Sequence, residues 1–377
     1  MRLFLKHLPI TYVSHTTQSF ATCTPVPFHA NAIFYTRDTG LICREIQALG
    51  MECRVIMPEP VREDDLPTTD LLRVPMQKLR SRAFWAGLGI SGVVLYSWGD
   101  PRYTSIARAI RKAGLRLIIH FDSSGELHEH LLRPRNKWLN KIKDAAVNIL
   151  RRRHLGYAHA ITCSAPCIES FRQDFYYGES IAAKCVEFPT PVESCFRYKG
   201  KEKEERIICC GNWQNPLKRV WFMTEALSHL LNRHDSVQVD ICGPLTAELQ
   251  SWHAALPAEQ NKRVHLHGAL NHEQLSSLYN AASISLCASE SEGSHGASAE
   301  ALCCGCSVVC PPRPLLSVVR WYTSRNSGTI AAEDTPQAVC EALCAELGHW
   351  QVCERQAAEI AAAWQPCFQV KELLSRF

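Results

Sequence analysis

The chain alternates short apolar, β-type runs with helical stretches, and this alternation occurs twice. Four such runs lie near residues 52, 92, 115 and 160, and a second series of five begins after Lys199. Strands that alternate with helices indicate parallel sheets with helices packed on their faces. With 377 residues the chain is also long enough for two cores. The sequence therefore predicts an α/β protein with two doubly wound, Rossmann-like domains that face a cleft.

The best candidate for the linker lies at residues 189–207, which read PTPVESCFRYKGKEKEERI. Its prolines restrict the backbone, and a charged run follows from Lys199 to Glu205. We therefore predict a first domain over residues 1–195 and a second domain from residue 196 onward. The first half is basic, with 27 Lys and Arg against 18 Asp and Glu in residues 1–199. This excess predicts an anionic partner or membrane surface.

The composition is that of a folded globular chain, with 46% hydrophobic and 21% charged residues. Several of the 19 cysteines lie inside apolar runs or next to each other, which indicates free thiols rather than a disulfide scaffold. The first apolar run is broken by Lys6, His7 and Pro9, a poor pattern for a signal peptide. These features predict a cytoplasmic protein.

In open parallel sheets, ligands bind beyond the carboxyl ends of the strands. One such loop leads into a helix and reads EGSHGASAE, with Glu292 and Glu300 separated by seven residues. Gly293 and Gly296 allow the backbone to approach a phosphate at the helix N-terminus, and a carboxylate suits the two hydroxyls of a sugar diol. A glutamate that is simply favoured in a first helical turn explains the same spacing, so the spacing alone does not decide.

Three further strand-end loops carry candidate residues. Lys218 follows the run RIICCG at the start of a helix, where an ammonium meets a diphosphate, although a solvated lysine fits the same position. His120 ends the run LRLIIHF and is either a structural histidine or a ligand-binding one. A helix is predicted to follow Asp38, Thr39 and Gly40. These residues are either part of a site for the acceptor or a phosphate, or they only cap that helix.

Residues 278–309, which contain EGSHGASAE and the following ALCCGCSVV, resemble the donor-site signature of the family-4 retaining glycosyltransferases, also called glycosyl transferases group 1. The resemblance implies the GT-B fold, with the nucleotide in the second domain and the acceptor in the first. It implies that Glu300 binds the ribose and that Glu292 contacts the donor sugar. It also implies that the second domain ends at residue 358 and that residues 359–377 return to the first domain.

The match continues in other parts of the chain. Gly211 and Lys218 are similar to the family's Gly-Arg-x5-Lys motif, with Asn212 where arginine is usual, and Arg219 is a candidate for the missing cation. Ser294 and His295 replace the usual Phe-Gly pair, which leaves the donor sugar open. The nucleotide site implied by the resemblance comprises Gly211, Asn212, Lys218, Arg219, Gly293, Ser294, His295, Gly296 and Glu300.

The resemblance implies a retaining hexosyltransferase that moves a sugar from a nucleotide-diphosphate sugar to a saccharide or lipid-linked acceptor, as in polysaccharide or lipopolysaccharide synthesis. His120, Lys218 and Glu292 are then the catalytic residues, and neither a metal nor another cofactor is expected. Two alternatives stay open. Asn212 also fits a non-catalytic, transferase-like scaffold, and a sugar-nucleotide epimerase or hydrolase of the same fold also needs a diphosphate site.

Residues 133–153 combine eight Lys and Arg with apolar side chains at partly helical spacing. This segment is either a solvated surface helix or a helix that binds an anionic membrane at its surface. No motif predicts nucleic-acid binding. The cysteines at 303, 304, 306 and 310 and His295 lack the paired spacing of a zinc site. The acidic pair Asp64-Asp65 lies in a polar loop and is not taken as a metal site.

Overall fold

The computed structural model describes residues 19–25, 38–59, 71–124, 126–128, 131 and 137–375. The amino-terminal segment, Asp64-Asp65 and residues 133–136 of the basic segment lie outside the described residues. Within the first half, seven parallel strands form one sheet in the order β3-β2-β1-β4-β5-β6-β7. Its strands are β1 (Ser19–Cys23), β2 (Glu52–Pro58), β3 (Leu71–Val74), β4 (Gly92–Tyr96), β5 (Arg116–His120), β6 (Ala160–Cys163) and β7 (Cys185–Glu187).

The helices that accompany this sheet follow its strands in the chain. They are α1 (Thr39–Ala48), α2 (Met76–Leu79), α3 (Arg82–Ala86), α4 (Thr104–Lys112), α5 (Lys137–Gly156), α6 (Ala165–Gln173) and α7 (Gly178–Ala182). Side chains of each strand alternate between the two faces of the sheet. In β4, Val93 and Leu95 join one buried core, whereas Val94 and Tyr96 join the other. The sheet is therefore buried on both faces, as a doubly wound domain requires.

The second sheet has six parallel strands in the order β10-β9-β8-β11-β12-β13. Its strands are β8 (Glu204–Cys210), β9 (Gln238–Cys242), β10 (Val264–Gly268), β11 (Ala282–Leu286), β12 (Ser307–Cys310) and β13 (Gly328–Ile330). The helices are α8 (Val220–Leu231), α9 (Ala247–Ala255), α10 (Ala258–Asn261), α11 (His272–Ala281), α12 (Gly296–Cys303), α13 (Ser317–Trp321), α14 (Pro336–Gln351), α15 (Ala357–Trp364) and α16 (Val370–Leu374). The prediction of two Rossmann-like domains is confirmed.

The last two helices pack against different parts of the molecule. Ile360 and Trp364 of α15 belong to the core on one face of the second sheet. Val370 and Leu373 of α16 instead belong to the core of the first sheet, together with Ile42 of α1. The end of the chain thus contacts the first sheet, while the exact boundaries predicted at residues 195 and 358 stay predictions.

None of the 19 cysteines, all of which lie in the described ranges, forms a disulfide. Most are buried in the two domain cores. Among the described residues, no helix combines the length and the apolar character that are needed to cross a membrane.

Candidate functional site

The loops after β8 and β9 pack closely against each other at the carboxyl edge of the second sheet. Gly243 has a φ of 124°, and a Cβ atom there would lie 1.9 Å from the carbonyl oxygen of Gly211. The indole of Trp213 donates a hydrogen bond to the carbonyl of Cys242 over 3.1 Å. Only glycine fits at position 243, because any side chain would separate the two loops.

Lys218 and Glu292 form an ion pair at this edge. Lys218 ends a 3-10 turn, Pro216–Lys218, and its Nζ lies 2.6 Å from Oε1 of Glu292, in the loop after β11. Their side chains are only 15% and 14% exposed. Burial tends to raise the pKa of Glu292, but the charges of His295 and Lys218 outweigh it and lower the pKa. The Glu292 carboxyl therefore stays ionised at neutral pH, and it holds the Lys218 side chain beside the strand-end loops.

The Glu292 loop turns sharply into α12. His295, the N-cap residue, has a φ of 45° in the left-handed region, and its Nδ1 lies 2.7 Å from the hydroxyl of Ser298. Because α12 begins at Gly296, Glu300 lies in the second turn of the helix. The carbonyl of Ser294 accepts a hydrogen bond from the Tyr322 hydroxyl over 2.7 Å, which fixes the loop.

A pocket of about 120 Å³ lies between the two domains beside α12. Glu300, Gly296 and Ser294 line it from the second domain, and Asp38 lines it from the first. Asp38 is the N-cap residue of α1, but its side chain makes no capping hydrogen bond to the helix. The structure therefore places Asp38 across the pocket from the acidic residue that was predicted to bind ribose.

The other two residues of that first loop are less accessible. Thr39 is fully buried and accepts a hydrogen bond from the hydroxyl of Thr24 over 3.3 Å. Gly40 is also buried within the first turn of α1. A role in binding an acceptor or phosphate thus fits Asp38 better than either neighbour.

Asn212 and Arg219 lie near Lys218 in sequence, but their side chains make different contacts. The Asn212 side chain accepts a hydrogen bond from the backbone of Gln214 over 3.3 Å. Arg219 is buried and stacks on Phe222, with its Cζ 3.8 Å from the ring centre. Its guanidinium also pairs with Asp334 over 2.8 Å. Asp334 also pairs with Arg313. Because the Arg219 guanidinium packs on Phe222 and Asp334, these contacts give no support to Arg219 as the second phosphate-binding cation, which remains a prediction.

His120 ends β5 and is 1% exposed. Its Nδ1 lies 2.8 Å from the Thr162 hydroxyl, and its ring stacks on Tyr96 with the ring centres 4.3 Å apart. Burial lowers the pKa of His120 to about 3. The imidazole is therefore neutral, and it fits a hydrogen-bonding role better than that of a charged group.

Asp122, two residues after His120, bridges the domains and was not among the residues predicted for the site. Its Oδ1 accepts a hydrogen bond from the backbone N–H of Ser294 over 2.7 Å. A Cβ on Gly293 would lie 2.4 Å from the same oxygen. Burial raises the pKa of Asp122 to about 6, and the charge of Glu292 adds to this effect. The sequence signal that could have identified Asp122 was its position just after β5, at the carboxyl end of a strand in the interior of the sheet.

Residues 204–348 match a family model described as Glycosyl transferases group 1. The second domain is a glycosyl transferases group 1 domain. Its match begins with β8 and ends within α14, so it includes Lys218, Glu292 and Glu300. No curated protein matches the chain in sequence.

The glycosyl transferases group 1 domain and the first domain together resemble solved glycosyltransferases over nearly the whole chain. A glycosyltransferase from Rickettsia africae gives a TM-score of 0.66 at 12% identity, covering 96% of this chain and 97% of that one. Alr3699/HepE of Anabaena, solved with UDP, gives 0.62 at 12% identity, covering 96% and 100%. WaaG, described as a glycosyltransferase involved in lipopolysaccharide biosynthesis, gives 0.58 at 15% identity, covering 94% and 98%. These likenesses establish the GT-B fold.

Proposed function

We propose that this chain is a retaining hexosyltransferase that uses a nucleotide-diphosphate sugar. The observation that carries the proposal is the Lys218–Glu292 ion pair, which lies in the same loop-to-helix region as the pocket lined by Glu300. Lys218 provides a cation for a diphosphate, and Glu292 provides a carboxylate for a sugar. Glu300 provides a second carboxylate for a ribose. UDP is the nucleotide we expect, because Alr3699/HepE, which has the same fold, was solved with UDP.

The proposed reaction depends on charge rather than on a side-chain nucleophile. The Glu300 carboxylate accepts hydrogen bonds from the ribose diol. As the nucleoside diphosphate leaves, the Lys218 ammonium stabilises its developing negative charge, so that the transfer needs no metal. The neutral His120 hydrogen-bonds the donor sugar, and Glu292 orients it. The acceptor hydroxyl attacks from the face that the leaving group vacates and gives its proton to a phosphate oxygen of the departing nucleoside diphosphate, which retains the anomeric configuration.

We propose a saccharide or lipid-linked acceptor in cell-surface polysaccharide or lipopolysaccharide synthesis, on the cytoplasmic face of a membrane. The support comes from α5, whose buried residues are mostly polar and whose exposed face carries large apolar side chains. Trp138, Ile142 and Ile149 are 69%, 48% and 57% exposed. Exposed Lys and Arg residues lie on the same helix. Such a surface suits anionic lipid headgroups.

The test is nucleotide release from a panel of UDP-, GDP-, ADP- and dTDP-sugars without acceptor, together with thermal shifts caused by the free nucleotides. A transferase releases the nucleoside diphosphate slowly and is stabilised by the matching nucleotide. Proton NMR of the first sugar product then shows whether the anomeric configuration is retained. Inversion of that configuration would contradict the retaining mechanism.

The same panel separates the alternatives. The neutral Asn212 side chain in place of a cation favours a scaffold without activity, and in that case neither turnover nor a nucleotide-dependent thermal shift appears. An epimerase would convert the sugar while the nucleotide stays attached, and a hydrolase would release the nucleotide at a rate that saccharide acceptors do not raise. Any of these results would contradict the transferase proposal.

A further inference from the structure

A second pocket lies where the chain crosses between the two domains, and we call it the crossover pocket. Its volume is about 410 Å³, and small-molecule sites occupy about 300 to 1,000 Å³ and often lie at domain interfaces. Two stretches of chain line it: the linker segment, within residues 192–198, and the return segment, within residues 365–371. Glu45 and Leu49 line it from the first domain, and Cys303 lines it from the second.

Hydrogen bonds fix the walls of the crossover pocket. The backbone N–H of Val192 in the linker segment donates to the carbonyl of Phe368 in the return segment over 3.3 Å. The side chain of Gln365 donates to the carbonyl of Cys303 over 3.2 Å, which ties the return segment to α12. The pocket is therefore largely formed before a ligand binds.

Apolar side chains form much of the pocket wall. Phe196 comes from the linker segment, and Phe368 and Val370 come from the return segment. All three are buried, and they pack into the hydrophobic cores of the two domains. Leu49, at the end of α1, is 41% exposed, so it leaves an apolar surface open on the pocket wall. The pocket therefore suits a ligand with an apolar body.

The charge that the pocket offers to a ligand is positive. Arg197 belongs to the linker segment and Lys371 to the return segment, and both residues are exposed. Within the part of the chain that the structure describes, neither side chain forms a hydrogen bond or an ion pair. The two acidic residues of the pocket are less available. Glu193 contacts Nδ1 of His272, and burial raises the pKa of Glu45, which disfavours its charged form.

We propose that the crossover pocket binds an amphipathic anion, a small molecule whose acyl or aryl body carries a carboxylate, sulfonate or phosphate group. The body packs on Leu49, and the anionic group accepts hydrogen bonds from Arg197 and Lys371. Because the two cations lie on different segments, the ligand contacts both connections between the domains. Among the described residues that line this pocket, none is assigned to the donor, the acceptor or catalysis, so the proposal does not depend on the transferase activity.

Anilinonaphthalene sulfonate, a fluorescent dye with an aryl body and one sulfonate, is a direct probe of this site. The full-length protein is titrated with the dye, and we expect the fluorescence to saturate at one dye per chain. Octanoate should displace the dye, whereas octanol at the same concentration, which lacks the charge, should displace little of it. The double variant Arg197→Gln, Lys371→Gln should weaken dye binding by about tenfold or more, because both charged donors are lost.

The double variant Arg233→Gln, Lys262→Gln is the matched control, because it removes two exposed cations that do not line the pocket. It should keep the wild-type affinity for the dye. Circular dichroism shows whether each variant is folded, and the two single variants replace Arg197→Gln, Lys371→Gln if that protein does not fold. The proposal is overturned if the folded pocket variants bind the dye as the wild type does, if octanol displaces it as well as octanoate does, or if no saturable binding occurs.

Discussion

At the scale of single residues, Glu300 is partly exposed in the second turn of α12, where it lines the pocket between the domains. Hydrogen bonds to a charged group contribute about 1.5 to 3 kcal/mol each. We therefore expect Glu300→Ala to weaken UDP binding at least tenfold, measured by isothermal titration calorimetry. Glu290→Ala is the control, because Glu290 precedes the same loop but pairs with Arg313. Unchanged UDP affinity in Glu300→Ala would reject the ribose role.

Lys218 is expected to act mainly on the chemical step. Removal of one preorganised donor that stabilises developing charge costs about 100-fold to 1,000-fold in kcat. Lys218→Met keeps most of the side-chain volume and removes the charge, so we expect kcat for nucleotide release to fall by about 100-fold. Lys262→Met, which changes an exposed surface ion pair with Glu259, keeps the wild-type rate. Equal kcat values for both variants would show that Lys218 is not the phosphate cation.

Residue types in the candidate site were predictable from sequence, but their contacts were not. Lys218 and Glu292 are separated by 74 positions, and only the fold shows that they meet. Arg219 was predicted as a replacement for the missing cation, but adjacent residues in a turn point in different directions, and the sequence does not encode these directions. Asp122 was not predicted as a site residue, because its contact is with the backbone N–H of Ser294 in the other domain.

At the scale of elements, α5 presents its apolar side chains to the outside. Its inner face is polar: Asp144 lies 2.5 Å from Nδ1 of His128, and Asn148 accepts a hydrogen bond from the Tyr177 hydroxyl over 2.6 Å. Arg151 is turned toward this inner face and contacts Asn148 over 3.3 Å. The charges available to a membrane are therefore those of exposed residues such as Arg152 and Arg153.

Membrane binding by α5 is tested with the triple variant Trp138→Glu, Ile142→Glu and Ile149→Glu. Each apolar side chain buried in the headgroup region contributes up to about 1.5 to 3 kcal/mol. We expect binding to anionic phosphatidylglycerol vesicles, measured by sedimentation, to fall more than tenfold. Val352→Glu, at an exposed apolar position of the second domain, keeps the wild-type binding. If the triple variant sediments with vesicles as the wild type does, α5 is only a solvated surface helix.

Element prediction succeeded where a strand is apolar and long enough to show its pattern. The runs at β5 and β8 are dominated by buried Ile, Leu and Cys side chains. By contrast, β7 and β13 have three residues each, too few for any periodicity. The central strand β1 reads Ser-Phe-Ala-Thr-Cys, and its strand character comes from pairing with β2 and β4 rather than from its own residues.

At the scale of the whole molecule, polar contacts join the two domains near the site in the part of the chain that the structure describes. Besides the Asp122–Ser294 hydrogen bond, the Ser317 hydroxyl donates to the carbonyl of Ser124. Arg325 also pairs with Glu187 over 2.7 Å. Because the Asp122 carboxyl accepts a hydrogen bond from the other domain, we expect closure of the domains to respond to the charge of Asp122.

Burial raises the pKa of Asp122 to about 6. The protonated carboxyl therefore stabilises the folded state fully below the unfolded pKa near 4, and this stabilisation is lost as the pH rises through 6. Asp122→Asn cannot ionise. Relative to this variant, the wild type should lose on the order of 3 kcal/mol of unfolding free energy between pH 4 and pH 7. Denaturation by urea at several pH values measures the difference.

Asp235→Asn, at an exposed position, serves as the control and should follow the pH dependence of the wild type. If Asp122→Asn shows that same pH dependence, then Asp122 does not ionise within this range.

The distribution of the cysteines has a practical consequence for measuring domain motion. Cys353, directly after the end of α14, is the one exposed cysteine among the 19. Maleimide reagents react with accessible thiolates, whereas burial keeps most of the other thiols protonated and out of reach. A fluorophore attached to the unaltered chain should therefore label the second domain at a single position. Cys353 thus supplies an attachment point for a spectroscopic label without removal of any other cysteine.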